Sequence, residues 1–314
     1  MTAFIIRRLS FTVIVLIIIS FFSFLLLYLV PGDPAAAALG LESTPGQVEA
    51  YRHELWLDRP FIVQYVHWVG NAVRGDFGQS IAYREQISTI FKARVPITLY
   101  LAIWAFILSN LLGVTAGIIC AIRRGGLLDQ AISVLANVGI AVPIFFLGIL
   151  GIFAFALKLN WLPIMGWTSP GTDFVMSTRQ AIMPVIALAI PGIAMMARQT
   201  RSSMLEVIHQ DYVRTAWSKG LRERQVIARH ALKNALIPIV TLMGLQIRIL
   251  VGGSVIVEQV FNIPGLGRLL VYAAFSKDFL IIQAGVLLIG LIVCIANLMV
   301  DISYGWLDPR VRFE

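Results

Sequence analysis

Charge is scarce in this chain. Only 13% of its 314 residues are Asp, Glu, Lys or Arg, while 58% are hydrophobic. A water-soluble domain carries about 25% charged residues, so lipid must replace water as the solvent for much of this sequence. Cysteine is almost absent. Cys120 and Cys294 both sit in apolar runs, which leaves no basis for a disulfide framework or a thiolate metal site. His53, His67, His209 and His230 fall in polar segments without ligand spacing, so no metal centre is expected.

Other absences exclude whole classes of function. No G-x-x-x-x-G-K-[ST] loop occurs, so ATP cannot be bound and hydrolysed here by that route. There is no Gly-x-Ser-x-Gly elbow and no histidine within an apolar run, which argues against an intramembrane enzyme. The apolar runs hold no acid before Asp301, whereas a proton- or sodium-driven carrier needs membrane-buried acids. The net charge of +8 does not point to nucleic acid, because the basic residues cluster at the ends of apolar runs without interleaved aromatics.

What is present is a series of runs near the roughly 20 residues that cross a bilayer as helix. They are Leu9–Val30, Ile97–Ile122, Ala131–Leu157, Ala181–Ala197, Ile237–Val257 and Leu280–Val300. The fourth carries Pro184 and Pro191 and is expected to kink. The first exceeds the roughly 7–15 residues of a signal-peptide core, so it reads as a retained anchor. The expectation is an all-α integral membrane protein with six transmembrane helices. Residues 1–94 form an anchor helix and outer loop; residues 95–314 form a five-helix core. No internal repeat is visible.

Basic residues in short loops set orientation. Arg7 and Arg8 place the N-terminus in the cytoplasm, and six crossings put Arg123, Arg124, Arg310 and Arg312 on the same side. The long segment Pro31–Arg94 is then extracytoplasmic. It is expected to be partly ordered, with Trp56, Pro60, Tyr65, Trp68 and Phe77 packing a small cap and Gly75–Ser80 making a tight turn.

The basic segment between the fourth and fifth runs, residues 198–236, is the most informative. Helix is expected from Ser202 onward, with Ser202 or Ser203 as cap and Glu206 in the first turn. Gly220 ends it, and Glu223–Leu236 forms a second helix running toward Pro238. Thr215, Ala216 and Ser218 make a small-residue face that permits close approach of another surface. A solvated loop or one touching anionic lipid is the plainer alternative. In the fifth run, Arg248 lies about 15 Å along the helix from Ile237. An arginine at that depth faces a bundle interior or a watery cavity. With Gln246 it either meets a substrate carboxylate or is held by a structural partner. Gly252 and Gly253 complete the candidate pathway set and permit close packing. "NIPGLGRLL" reads as a turn and a short re-entrant or interfacial helix, with Arg268 available to Glu258 or to a binding protein.

"DYVRTAWSKG" followed by "RHALKNALIP" resembles the cytoplasmic signature loop of the permeases of ATP-binding-cassette importers, in the dipeptide/oligopeptide branch. "RRLSFTVIVLIIISFFSFLLLYLVPGDP", "GDFGQS", "PITLYLA", "MGLQ", "GGSVIVEQVFNIPGLGRLL" and "DPR" extend the resemblance over nearly the whole chain, in the manner of the B-type subunit. Arg214, Thr215 and Ala216 stand where the general signature has Glu-Ala-Ala, with Gly220 in register, and Trp217 departs from the smaller or basic residue expected there. The resemblance implies a type I importer permease fold in a bacterial inner membrane. It implies a coupling helix whose Asp211, Tyr212, Arg214, Thr215, Ala216, Lys219 and Gly220 meet a separate ATPase. ATP and Mg would be bound by two such ATPase subunits. A second permease subunit and an extracytoplasmic substrate-binding protein complete the implied assembly. The cargo would be di- or oligopeptides, with glutathione, nickel chelates or sugars as alternatives.

Overall fold

The computed structural model describes residues 2–29, 34–39, 43–54 and 56–307. Pro31, Gly32 and Asp33, with Asp308, Arg310 and Arg312 of the tail, lie outside the described residues.

The described residues are overwhelmingly helical. Helices α1 (Thr2–Leu29), α2 (Pro34–Leu39), α3 (Pro45–Glu54) and α4 (Phe61–Val73) precede the long α5 (Ile87–Ile122). Next come α6 (Leu127–Ala141) and α7 (Ile144–Gly151), the latter continuing as π-helix through Ile152–Lys158. Then follow α8 (Phe174–Ile208), α9 (Asp211–Ser218) and the short α10 (Glu223–Gln225), which passes through a π-helical turn, Val226–Ala231, into α11 (Leu232–Val260). Helices α12 (Leu266–Phe275) and α13 (Phe279–Leu307) close the chain.

Five helices are long and apolar enough to cross a membrane, with apolar spans Ile6–Leu25, Ile87–Ile122, Phe174–Ile208, Pro238–Val260 and Phe279–Val300. The expected third span, Ala131–Leu157, is not one element. It is the pair Leu127–Ala141 and Ile144–Lys158, bent by 106°. The cause is Pro143. Proline pushes the preceding residue out of the α region, and Val142 (φ −81°, ψ 126°) and Pro143 (φ −61°, ψ 142°) are both extended.

The helix of the fourth span extends further than expected and is capped elsewhere. Helix α8 runs unbroken through Pro184 and Pro191 for 35 residues, so Ser202 and Ser203 lie inside it and cap nothing. Its cap is Asp173, whose Oδ1 accepts from the Met176 amide at 2.9 Å. Glu206 sits in its last turn rather than in the first turn of a new helix.

By contacts the chain divides into two units. One comprises Ile6–Thr98 and Pro264–Ile295. Its core is Ile87, Ile90 and Phe91 of α5, Leu266, Leu269 and Ala273 of α12, and Ile281 and Ala284 of α13. The Gly75–Ser80 turn is as tight as its sequence implies: Gly75 and Gly78 have φ near +80°, at 82° and 81°, and Gly78 O accepts from the Ile87 amide at 3.0 Å. Asp278, fully buried, fixes it in place. Its Oδ2 accepts from Ser80 Oγ at 2.6 Å, while Oδ1 accepts from the Ile281 amide at 3.3 Å and caps α13. The aromatic residues of the expected cap pack largely on other elements rather than on one another, with Phe77 against Phe91 of α5. Tyr65 and Trp68 lie against Phe24, and Trp56 stacks on His67 at 4.0 Å.

The other unit is built on Leu99–Ile263. Helix α8 is its axis: 61% of its most apolar window is buried, against 39% or less in the other four spans. Helix α5 meets it through Gly113 and Gly117, a small-xxx-small spacing that lets backbones touch. A methyl group on Gly113 would lie 2.6 Å from Met196 Cβ and 2.8 Å from the Ile193 carbonyl oxygen; one on Gly117 would lie 2.6 Å from the Ala197 carbonyl oxygen. Gly117→Val is therefore expected to cost about 1–3 kcal/mol through overpacking. Gly70→Ala, where nothing lies within 4 Å, should leave stability unchanged. Thermal unfolding of the two variants in detergent checks this; equal transitions would remove the glycine contact from the account.

Candidate functional site

Only His209 and Gln210 separate α8 from α9. Helix α9 starts at Asp211 because Gln210 is extended (φ −72°, ψ 149°), and it stops because Gly220 adopts φ +72°, a region costly for any residue with a Cβ. With eight residues, α9 makes barely two turns, and its sides are sharply different. Val213 and Ala216 are buried in a cluster with Val226, backed by Val207 and Leu221. Asp211, Tyr212, Arg214, Thr215, Trp217, Ser218, Lys219 and Gly220 are exposed.

This arrangement corrects the small-residue face. Ala216 points into the chain and secures α9 to the π-helical turn, so it offers no surface to another molecule. The hydroxyls beside it are spent locally: Thr215 Oγ1 donates to the Asp211 carbonyl at 2.9 Å and Ser218 Oγ to the Arg214 carbonyl at 3.1 Å. The outward surface is instead aromatic and charged. Trp217 is 43% exposed and Tyr212 42%. Arg214 lies 3.7 Å from Asp211. Tyr212 also ties α9 to the next span, since its hydroxyl accepts from Asn234 Nδ2 at 2.7 Å. Beneath, Met204, Ala121, Ala231 and Ala235 form a second cluster joining α8, α5 and α11.

An ion pair reinforces the same end of the unit. Asp129, 4% exposed, accepts from Arg201 Nε at 2.6 Å and Nη2 at 2.8 Å, and from the Gly125 amide at 2.9 Å. Planar two-pronged pairing of this kind is the strong form of the contact. It fastens the start of α6 to α8 seven residues before α8 ends.

The four candidate pathway residues do not share a face. Gln246 is 1% exposed. Its Nε2 donates to Ser109 Oγ in a short bond, and its Oε1 accepts from Asn110 Nδ2 at 3.0 Å. Gln246 thus joins α11 to α5, packed over Gly192 of α8. Gly253 packs on Leu188 and Ile144. Arg248 and Gly252, four residues apart and so on one helix face, are both exposed in a stripe with Leu245 and Ile256. Among the described residues Arg248 has no hydrogen-bond or ion-pair partner. Sequence reasoning missed Ser109, Asn110, Asn234 and the Asp129–Arg201 pair. The signal for the first two was available, as adjacent polar residues in an otherwise apolar run.

These features define a class: a helical membrane protein that hangs a short helix with a polar, aromatic outer face between two spans. Comparison with known proteins gives the family. Residues 113–313 match the model described as "Binding-protein-dependent transport system inner membrane component", and residues 1–102 match that of its N-terminal component. A Sinorhizobium fredii protein named as a peptide ABC transporter permease is 41% identical over 313 residues, covering 100% of both chains. The glutathione transport system permease protein of Escherichia coli is 40% identical over 314 residues, again covering both chains fully. An inward-facing structure of the MetNI methionine ABC transporter superposes with a TM-score of 0.58 at 18% identity, over 70% of this chain and 96% of that one, and shows a shared fold. The chain belongs to the family of binding-protein-dependent transport system inner membrane components, the permeases of ABC importers.

Removing one partner of a buried pair leaves the other charge uncompensated. Asp129→Asn is expected to cost about 3 kcal/mol, the low end for such a break because Arg201 is 34% exposed. The double variant Asp129→Asn with Arg201→Gln should recover part of that loss. A double-mutant cycle on thermal unfolding checks this, and additive losses would show that the pair is uncoupled.

Proposed function

We propose that this chain is one of two permease subunits of an importer for di- or oligopeptides, driven by separate ATPase subunits that hold ATP and Mg. The single observation that carries the coupling role is the two-sidedness of α9. Its apolar side is locked to the end of α8 and to the π-helical turn that leads into α11, while its outer side presents Trp217, Tyr212, Arg214, Asp211, Lys219, Thr215 and Gly220. A merely solvated loop has no use for a buried anchor on one side and exposed aromatics on the other. An exposed Trp and Arg on a small, rigid platform is the composition of a protein contact. The charges set register and encounter rate more than affinity. ATP binding then shifts the permease only because its two conformations hold α9 differently against the ATPases.

In this reading α9 and both termini face the cytoplasm, following the basic residues of the short loops. The exposed stripe of α11 bearing Arg248 and Gly252 faces the second permease across the pathway, where a guanidinium attracts the carboxylate of a passing peptide. Peptide cargo is supported by the relative named for it, at 41% identity over the full chain. Selection among cargoes falls to the extracytoplasmic binding protein.

Two variants separate anchor from contact. Trp217→Ala combined with Arg214→Glu is expected to abolish co-purification of the ATPase while leaving the thermal transition of the permease in place. Ala216→Leu, which overfills the anchor, should lower that transition as well. Arg248→Ala should reduce peptide uptake while ATPase co-purification persists. Unchanged uptake would take Arg248 out of the pathway. Retained ATPase binding by the first variant would sink the coupling role.

A further inference from the structure

Helix α4, Phe61–Val73, divides its surface into three stripes. At 100° per residue, Phe61, Tyr65 and Trp68 share one side. They pack on α1, with ring centroids 5.3, 5.7 and 5.8 Å from that of Phe24. Gln64, His67 and Asn71 share a second side and line a cavity of about 490 Å³. The third side is Ile62, Val63, Val66, Val69, Gly70 and Val73, without one polar side chain. It is also the exposed side: Ile62 is 61%, Val66 62% and Val73 82% exposed.

This is the wrong way round for a helix in water. Its polar residues line a cavity, and its outer surface is almost wholly β-branched and apolar. Unsupported β-branched residues are mediocre helix formers, so packing against something must favour this choice. The depth of α4 says what that is. Tyr65 Oη lies 2.8 Å from Ser20 Oγ and 3.4 Å from the Ile17 carbonyl oxygen. Both residues belong to the apolar span Ile6–Leu25. Ser20 is nine residues inside the Leu29 end of α1, about 14 Å along the helix axis. The tip of Tyr65 therefore lies below the apolar boundary of the membrane. On α1, the exposed Ile14, Ile18 and Phe22 flank the stripe that meets α4, so the apolar surface of the span continues onto the apolar side of α4.

We propose that α4 is embedded in the membrane leaflet at the C-terminal end of α1, with Ile62, Val66 and Val73 against lipid acyl chains. The segment after the first span is then an interfacial membrane helix as well as a loop. Arg74, exposed at the end of α4, reaches the headgroup level.

Spin labels on the assembled transporter in lipid nanodiscs test this. Cys120 and Cys294, both buried, are replaced by Ala, and single labels are placed at Ile62→Cys, Val66→Cys and Val73→Cys. Ile18→Cys serves as the lipid reference and Arg74→Cys as the boundary reference. Relaxation by oxygen over that by a water-soluble nickel complex should be severalfold higher at residues 62 and 66 than at 74, and should match residue 18. Three independent positions guard against the failure of any one variant. A ratio at 62 and 66 equal to that at 74 would overturn the proposal by placing the face in water. Low accessibility to both reagents would overturn it by showing that a second permease or a binding protein covers the face.

Discussion

At Gly113 and Gly117 the backbone of α5 lies against carbonyls of α8, and no side chain larger than hydrogen fits between them. The packing of α8 in the helical core depends on that contact. Within a bilayer, burying apolar side chains against one another yields no hydrophobic gain, because lipid tails are as apolar as leucine. What remains is dispersion, which needs close approach, and hydrogen bonding between helices. The glycines supply the first. One turn along α5, Ser109 and Asn110 supply the second by engaging Gln246 of α11 beside Gly192 of α8. Three helices are thereby fixed around one short stretch of α5, which makes α8 the most enclosed span.

That enclosure has a consequence at the end of α8. A helix held along its length by glycine contacts, a polar cluster and the Asp129–Arg201 pair cannot bend freely, so α9 inherits its position from the membrane core. Helix α9 is too short to be stable alone. It exists because Val213 and Ala216 are buried and because Gly220 ends it cleanly. Its outer side is consequently free to be chosen for contact. A buried inner side with an exposed Trp217 outside is the arrangement that the proposed contact with an ATPase requires.

Much of the fold was legible in the sequence because lipid imposes a simple rule: every spanning segment must be helical and about 20 residues long. The apolar runs, the Gly75–Ser80 turn and the ending of α9 at Gly220 all follow from composition and local chemistry. The errors arose where local chemistry was ambiguous. Pro143 breaks its helix while Pro184 and Pro191 do not, and all three stand in apolar runs. Ser202 and Ser203 have the chemistry of caps but lie inside a helix that simply continues past the membrane. In the site, the residue types were legible and their directions were not. An eight-residue helix gives too few turns for periodicity to say which side is buried, so the inward direction of Ala216 is visible only in the fold. Gln246 and Arg248 are close in sequence, yet residues two apart point to opposite sides of a helix.

The separation of Gln246 from Arg248 sorts two kinds of polar residue in one span. Gln246 is neutral, fully buried and bonded, so it spends its polarity on holding helices together. Arg248 is charged and exposed on the chain surface, with Gly252 one turn beyond it. A lone guanidinium facing acyl chains costs several kcal/mol, so lipid is a poor match for that stripe. The proposed water-filled pathway shared with a second permease would remove the cost, because there the charge would keep its hydration. The same physics that makes Arg248 costly against lipid favours placing it where an anionic end of a substrate would pass.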